Sequence, residues 1–240
     1  MLLIRTILFY ANLILTTILG GLTVVIIGFF QRFSDFSYYR VMLPWMNNVL
    51  FFGGVKVILQ GVENIAGRGP FIVVGNHQSH VDIPAVMGHL PLKMTVIAKK
   101  ELFRIPFFGQ AMRAFGILSI DRSNRRKSIE TLNQAAAILK EQELSVLAFP
   151  EGTRSENGEI SPFKKGPFML AINSGIPILP VSIKGTYAIL PKGQLWVNPG
   201  TVTLVIHPPV ETAGVTGGAM RDQLIETVHQ AICEGFYENA

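Results

Sequence analysis

The stretch Pro70-Phe-Ile-Val-Val-Gly-Asn-His-Gln-Ser-His-Val-Asp-Ile-Pro84 indicates both the fold class and a polar site. Its first half is a continuous apolar run, which is typical of a strand that is buried on both faces of a sheet. Its second half is polar and begins where that strand ends. Open α/β sheets build their sites at this edge. The stretch therefore predicts a buried strand whose carboxyl end carries polar side chains.

His77 and Asp82 are the two side chains in this stretch best suited to catalysis. On one continuous helix they would point about 140° apart, so a contact between them requires a turn. Ser79 and Asp82 have the spacing of a capping box, whereas Pro84 fits the first turn better if Asp82 itself is the cap. Either arrangement lets the carboxylate accept the Nδ1 proton of His77 and leaves Nε2 as a general base. For this pair alone, a helix cap beside an ordinary loop histidine is an equal alternative.

A second apolar run, Ser145–Phe149, also ends in polar residues. They include Gly152, which permits close approach of the backbone, and Arg154, whose guanidinium can bind phosphate or carboxylate. Two polar strand ends in one sheet predict a single shared crevice.

The rest of the chain alternates short β-branched runs with helical patterns, which predicts an α/β domain over residues 53–240. We expect a mixed central sheet of about seven strands flanked by helices. The predicted strands are Val55–Gln60, Phe71–Gly75, Thr95–Ala98, Gly116–Ile120, Ser145–Phe149, Ile178–Ile183 and Val202–Ile206. The clearest helices are predicted at Arg126–Gln142 and Ala219–Phe236.

Residues 1–52 are predicted to form a helical segment embedded in or lying against a membrane. No charged residue occurs between Arg5 and Arg32, and this apolar stretch is long enough to cross a bilayer as a helix. Gly20-Gly21 can bend or split that helix, so spanning and re-entrant forms are both open. Basic residues follow the stretch, which predicts that the α/β domain lies on the cytoplasmic side, at the inner membrane if the source is bacterial.

Charge narrows the classes of partner. The chain has 21 basic and 16 acidic residues, and nine of the basic ones lie between positions 91 and 127 among several phenylalanines. This mixture suits a ligand with a phosphate head and an apolar tail, and no nucleic-acid-binding module is recognisable. The single cysteine excludes an internal disulfide, and the five histidines form no recognised metal-ligand motif, so no metal site is predicted.

Four stretches resemble, in order and separation, the motifs of the glycerophospholipid acyltransferases, and most closely those of bacterial lysophosphatidic acid acyltransferases. They are Asn76-His77 to Asp82, Lys100 through Pro106, Gly109 and Gly116 to Asp121-Arg122, Phe149–Ser155, and Ile176–Val181. The resemblance implies transfer of a fatty acyl group from acyl-CoA or acyl-carrier protein to the sn-2 hydroxyl of 1-acyl-glycerol-3-phosphate, with the thioester as co-substrate and no cofactor.

The resemblance also implies roles for individual residues. His77 would be the general base and Asp82 would orient it, with no acyl-enzyme. The acceptor phosphate would be bound by the motif residues Glu151, Gly152, Thr153 and Arg154, helped by Lys100 and Arg122, although Glu151 is expected to orient a basic neighbour. Relatives that act on other lysophospholipids share these motifs, and a non-catalytic lipid-binding membrane protein is a further alternative.

Overall fold

The computed structural model describes residues 2–28, 35–67, 69–105, 108–120, 136, 139 and 141–238. Within these residues the chain forms an α/β domain with a mixed sheet flanked by helices, preceded by an apolar N-terminal helix. The predicted fold class is therefore confirmed at this level.

The described strands form one sheet. They are β1 (Val55–Gln60), β2 (Ile72–Gly75), β3 (Met94–Lys99), β4 (Leu118–Ile120), β5 (Ser145–Ala148), β6 (Ile178–Lys184) and β7 (Gly200–Ile206). Six of them run in the order β1-β7-β6-β2-β5-β3, and the three-residue β4 pairs with the end of β3 at the edge. Only β6 and β7 pair antiparallel among these strands. Strands β2 and β5 are buried at every position, which explains their uninterrupted apolar sequences.

The predicted strands coincide with these seven to within two residues at each end. The described α-helices of four or more residues are α1 (Leu2–Gly28), α2 (Leu43–Gly53), α3 (Asp82–His89), α4 (Phe108–Ala114), α5 (Gly166–Ser174), α6 (Thr186–Ile189) and α7 (Gly217–Tyr237). A short helical turn at Asp35–Ser37 and a π-helix at Tyr38–Met42 precede α2. Helix α7 includes the predicted helix Ala219–Phe236. Most of the predicted helix Arg126–Gln142 lies outside the described residues, although Ala136 and Leu139 within it are helical and buried.

Helix α1 is uninterrupted over 27 residues and passes through Gly20-Gly21 without a break. Of the alternatives that the sequence leaves open, a helix split at these glycines is therefore not the one found. A methyl group on Gly20 would make an ordinary van der Waals contact with Val41 at 3.4 Å, and one on Gly21 would do so with Ala111 of α4 at 3.5 Å, so this side of α1 faces the rest of the chain. Within the described residues α1 is the one helix long and apolar enough to cross a membrane by length and composition.

The sheet topology positions the candidate site. Strand β2 pairs in parallel with β5, with Val74 opposite Ala148. The segments that follow these two strands, residues 76–81 and 149–155, therefore leave the sheet at the same edge and side by side. The two polar strand ends that were predicted to share a crevice therefore meet at this edge.

Candidate active site

His77 and Asp82 meet across the turn between β2 and α3. Nδ1 of His77 lies 2.7 Å from Oδ2 of Asp82. Because the carboxylate accepts, Nδ1 carries the hydrogen and Nε2 is left as the basic nitrogen of the ring. The Asp82 side chain is fully buried and the His77 side chain is 17% exposed. The predicted contact is therefore present, and the imidazole can still be reached.

Asp82 holds the turn as well as the histidine. Its Oδ2 atom also accepts hydrogen bonds from the backbone N–H groups of Gln78 at 2.7 Å and Ser79 at 2.8 Å. Helix α3 begins at Asp82, as predicted, but half of the predicted capping box is missing because Ser79 Oγ accepts from Val81 N instead. Three donors on one carboxylate oxygen fix the position of the turn and of the ring together.

The residues on either side of His77 anchor this loop to neighbouring elements. The Asn76 side chain pairs with the backbone of Ile183 on β6, donating to its carbonyl at 2.9 Å and accepting from its N–H at 2.7 Å. Ser79 Oγ donates to the carbonyl of Leu190 at 2.7 Å. Both side chains are fully buried, so the loop is rigidly attached on both sides of the candidate base.

Glu151 ties the second loop to the first. Its Oε1 accepts the backbone N–H of His77 at 2.7 Å, and its Oε2 accepts that of Ser161 at 3.0 Å. Ser155 N then donates to the His77 carbonyl at 2.8 Å. Burial raises the pKa of Glu151, while the two N–H donors act in the opposite direction.

The structure shows which groups the Glu151 carboxylate contacts. Glu151 is 3% exposed, and both of its oxygens accept backbone N–H groups. The expectations that it binds the acceptor phosphate or orients a basic neighbour stay predictions, whereas its contact with the backbone of His77 was not predicted.

Phe149 is a part of the site that sequence reasoning missed. Its ring stacks on the imidazole of His77, with 4.0 Å between the ring centroids and 13° between the planes. The stack and the Asp82 hydrogen bond together hold the ring in one orientation. The signal that could have identified Phe149 is its position at the end of β5. Phe149 follows Ala148, which pairs with Val74 near the end of β2, the strand that precedes His77.

Arg154 is close enough to His80 for its charge to affect that imidazole. The pKa of His80 is lowered, first by desolvation and then by the positive charge of Arg154 and the nearby His77. Arg154 is half-buried and Thr153 is exposed. The charge of Arg154 therefore acts on His80, three residues after His77 in the same turn.

The other basic residues considered in the sequence analysis lie in segment 91–127, and those that the structure describes have environments different from that of Arg154. Lys100 is exposed and begins the 3₁₀ turn that follows β3. Arg122 lies outside the described residues. Two members of the basic segment are engaged locally, since Lys93 pairs with Asp35 and Arg113 donates to the carbonyl of Phe103 at 2.9 Å.

The apolar run Ile176–Val181 forms the entry and first half of β6 and is buried at the centre of the sheet. Among the described residues, no three histidine, cysteine or acidic side chains are grouped so that they could hold a metal ion.

An imidazole oriented by a buried carboxylate can act as a general base, and an arginine on the neighbouring loop can bind an anion. The family model described as "Acyltransferase" matches residues 56–184, which include both loops of this site. The chain belongs to the acyltransferase family.

The curated relatives carry a more specific name. The chain is 31% identical over 226 residues to the 1-acyl-sn-glycerol-3-phosphate acyltransferase of Limnanthes douglasii, covering 92% of this chain and 77% of the relative. It is 36% identical to the Saccharomyces cerevisiae enzyme of the same name, covering 74% of this chain and 61% of the relative.

Among solved structures, the chain resembles the crystal structure of PlsC, the 1-acyl-sn-glycerophosphate (LPA) acyltransferase of Thermotoga maritima. The TM-score is 0.79 and the identity is 33%, over 98% of this chain and 94% of that one. The resemblance predicted from the four motifs is confirmed.

Proposed function

We propose that this chain transfers a fatty acyl group from a thioester to the sn-2 hydroxyl of 1-acyl-glycerol-3-phosphate, giving phosphatidic acid for phospholipid synthesis. The observation that carries the proposal is the 2.7 Å contact between His77 Nδ1 and Asp82 Oδ2 beside the loop of Arg154. The names of the relatives support this choice of acceptor.

In the proposed reaction His77 is the general base. Its Nε2 takes the proton of the acceptor hydroxyl while the oxygen attacks the thioester carbonyl, and Asp82 stabilises the resulting imidazolium. The new C–O bond forms, the C–S bond breaks, and the imidazolium returns the proton to the departing thiolate. The acceptor alcohol is itself the nucleophile, so the reaction needs no acyl-enzyme.

We assign the acceptor phosphate to the loop that carries Arg154. A guanidinium can bind phosphate with two parallel hydrogen bonds, and Gly152 and Thr153 are proposed to contribute from the same loop. Lys100 and Arg122 are proposed as helpers. Holding both substrates in register can lower the barrier by about 7–11 kcal/mol in well-oriented cases, so the phosphate site matters as much as the base.

The donor is proposed to be acyl-CoA or acyl-carrier protein. A thioester is already activated and releases a stable thiolate, so proton transfer and positioning are sufficient chemistry. We propose no resident cofactor for this reaction.

The enzyme is proposed to work at a membrane, on its cytoplasmic face. Both substrate and product would be membrane lipids, and α1 presents many exposed apolar side chains, among them Ile4, Ile7, Leu15 and Ile26. The basic residues that follow α1 support the cytoplasmic assignment. In a bacterial source this would be the inner membrane.

The test offers the purified full-length protein lysophosphatidic acid, lysophosphatidylcholine or glycerol-3-phosphate together with an acyl-CoA, and follows thiol release. We expect lysophosphatidic acid to react fastest, and His77→Ala to remove nearly all of that activity. Faster reaction with another acceptor would overturn the acceptor assignment. Undiminished activity in His77→Ala would overturn the mechanism.

A further inference from the structure

Lys164 lies directly over the loop that carries Arg154. A methyl group built on Gly152 would be 2.7 Å from Lys164 Nζ, so the ammonium rests against a loop position that has no side chain. Gly152 has a φ of 76°, a conformation that glycine adopts without strain. The backbone of Lys164 is fixed as well, since its N–H donates to the carbonyl of Pro150 at 2.9 Å.

This hydrogen bond closes residues 150–164 into a loop whose two ends meet next to His77. Glu151, one residue into the loop, accepts the backbone N–H groups of His77 and Ser161. Lys164 is therefore attached to the same rigid frame as the general base and Arg154, although it is ten residues from Arg154 in the sequence.

The adjacent lysine has a different environment. Lys165 Nζ lies 3.3 Å from Asp222 Oδ1 on α7 and forms an ion pair with it. For Lys164, no carboxylate within ion-pair distance is found in the described part of the chain. An unpaired ammonium that rests on the backbone of an arginine-bearing loop is available for an anion.

We propose that Lys164 is a second cation for the phosphate monoester of the acceptor, acting beside Arg154. This inference rests on the proposed function and extends it to a residue outside the Glu151–Arg154 run. A phosphate monoester carries close to two negative charges at neutral pH, which one guanidinium does not balance. The lysine ammonium binds as a flexible point charge next to the guanidinium fork.

The experiment compares Lys164→Met with its matched control Lys165→Met in the full-length protein, measuring thiol release with lysophosphatidic acid and an acyl-CoA. We expect Lys164→Met to raise KM for lysophosphatidic acid about tenfold, the loss typical of one hydrogen bond to a charged group. The KM for acyl-CoA and kcat should change little. Lys164→Arg should restore most of the affinity, and Lys165→Met should resemble the wild type.

A second acceptor separates charge recognition from a structural effect. Monoacylglycerol lacks the phosphate, so its slow acylation should be equal in the wild type and in Lys164→Met. An equal loss of activity with both acceptors would overturn the proposal. A rise in KM for acyl-CoA alone would also overturn it, because it would assign Lys164 to the phosphates of the donor. If the wild type itself does not acylate lysophosphatidic acid, the proposed function fails instead.

Discussion

At the scale of single residues, three buried or partly buried side chains hold His77 in place. Asp82 and Glu151 are both buried carboxylates, yet only Asp82 contacts the imidazole, whereas Glu151 holds the backbone of the same histidine. Phe149 covers one face of the ring. His77 is thus fixed from three directions, by a side chain, by the backbone and by stacking.

Asp82→Asn tests the orientation of the imidazole. An amide can present its NH₂ group to Nδ1, which favours the tautomer with its hydrogen on Nε2 and removes the base. We expect kcat to fall by about 10²–10⁴, the usual worth of general-base catalysis, with KM for either substrate little changed. Steady-state thiol release checks this. A loss confined to KM would show that Asp82 acts on substrate binding instead.

Glu151→Gln tests the assignment of Glu151 to positioning. The replacement presents an NH₂ group to one of two backbone N–H donors and leaves that donor unsatisfied in a buried place. We expect the free energy of unfolding to fall by about 1–3 kcal/mol and kcat to fall, with KM for lysophosphatidic acid nearly unchanged. Thermal unfolding and kinetics measured together check this. A large rise in that KM with unchanged stability would instead return Glu151 to substrate binding.

At the scale of elements, a buried polar contact fixes the C-terminal helix α7 to the sheet. Ser182 Oγ on β6 donates to the carbonyl of Ile232 and lies 2.8 Å from His207 Nε2, so it accepts the hydrogen of that ring nitrogen. Gly235 makes this approach possible, because a methyl group there would lie 2.6 Å from both side chains. This polar contact therefore adds to the burial of Leu224, Val228 and Ile232 in holding the helix on the domain.

This contact predicts a pH dependence of stability. Burial lowers the pKa of His207, which the nearby Glu234 partly counteracts, so the folded state favours the neutral ring. The stabilisation is complete at pH values above about 6.5, the pKa of a histidine in the unfolded chain. It is lost as pH falls through the lowered pKa that His207 has in the folded protein. We expect Tm to rise between pH 5 and pH 7 in the wild type, and His207→Gln to reduce that slope. Some dependence of Tm on pH should remain in the variant, because the pKa values of His80 and His89 are also lowered by folding. Equal slopes in both proteins would contradict this prediction.

The elements show what the sequence could and could not predict. The strands were predictable because apolar runs such as Phe71–Gly75 are buried on both faces, and the His77–Asp82 pair was predictable because Pro84 and Ser79 signal a turn. The roles of Glu151 and Phe149 were not, since both arise from pairing between β2 and β5, which are far apart in the chain. Local spacing carries no information about such pairing.

At the scale of the whole molecule, α1 has two different apolar faces. One face packs on the domain, where Phe9 and Val24 are buried and Thr6 accepts a hydrogen bond from Val197 N. The other face is exposed in a helical repeat; it comprises Ile4, Ile7, Leu8, Ile14, Leu15, Ile18, Leu19, Leu22, Val25 and Ile26. Because one face of α1 packs on its own domain, the opposite apolar face is suited to insert into a lipid surface.

A surface loop extends this exposed face. Leu195 and Trp196 are 71% and 48% exposed, and with Leu3, Thr6 and Tyr10 they line an open apolar cavity of about 360 Å³. Tryptophan is enriched where apolar and polar phases meet. The loop and the first turns of α1 thus form one apolar surface.

Fluorescence tests whether that surface meets lipid. The chain has two tryptophans, and Trp45 lies between helices, where it donates to Thr17 Oγ1 at 3.2 Å. In Trp45→Phe, emission reports on Trp196 alone. We expect vesicles containing anionic lipid to shift this emission to the blue and brominated lipid to quench it, whereas Trp196→Phe should show little quenching. Emission from Trp196 that stays unchanged while the protein sediments with vesicles would contradict the prediction.

The end of α7 has a practical consequence for handling the protein. Tyr237 OH accepts from Ile160 N at 3.3 Å and donates to Glu159 at 2.8 Å, so the last described turn of the chain touches the 150–164 loop. A purification tag attached close behind Tyr237 would lie next to that contact. Tags are therefore better attached through a long spacer or cleaved before kinetic constants are compared.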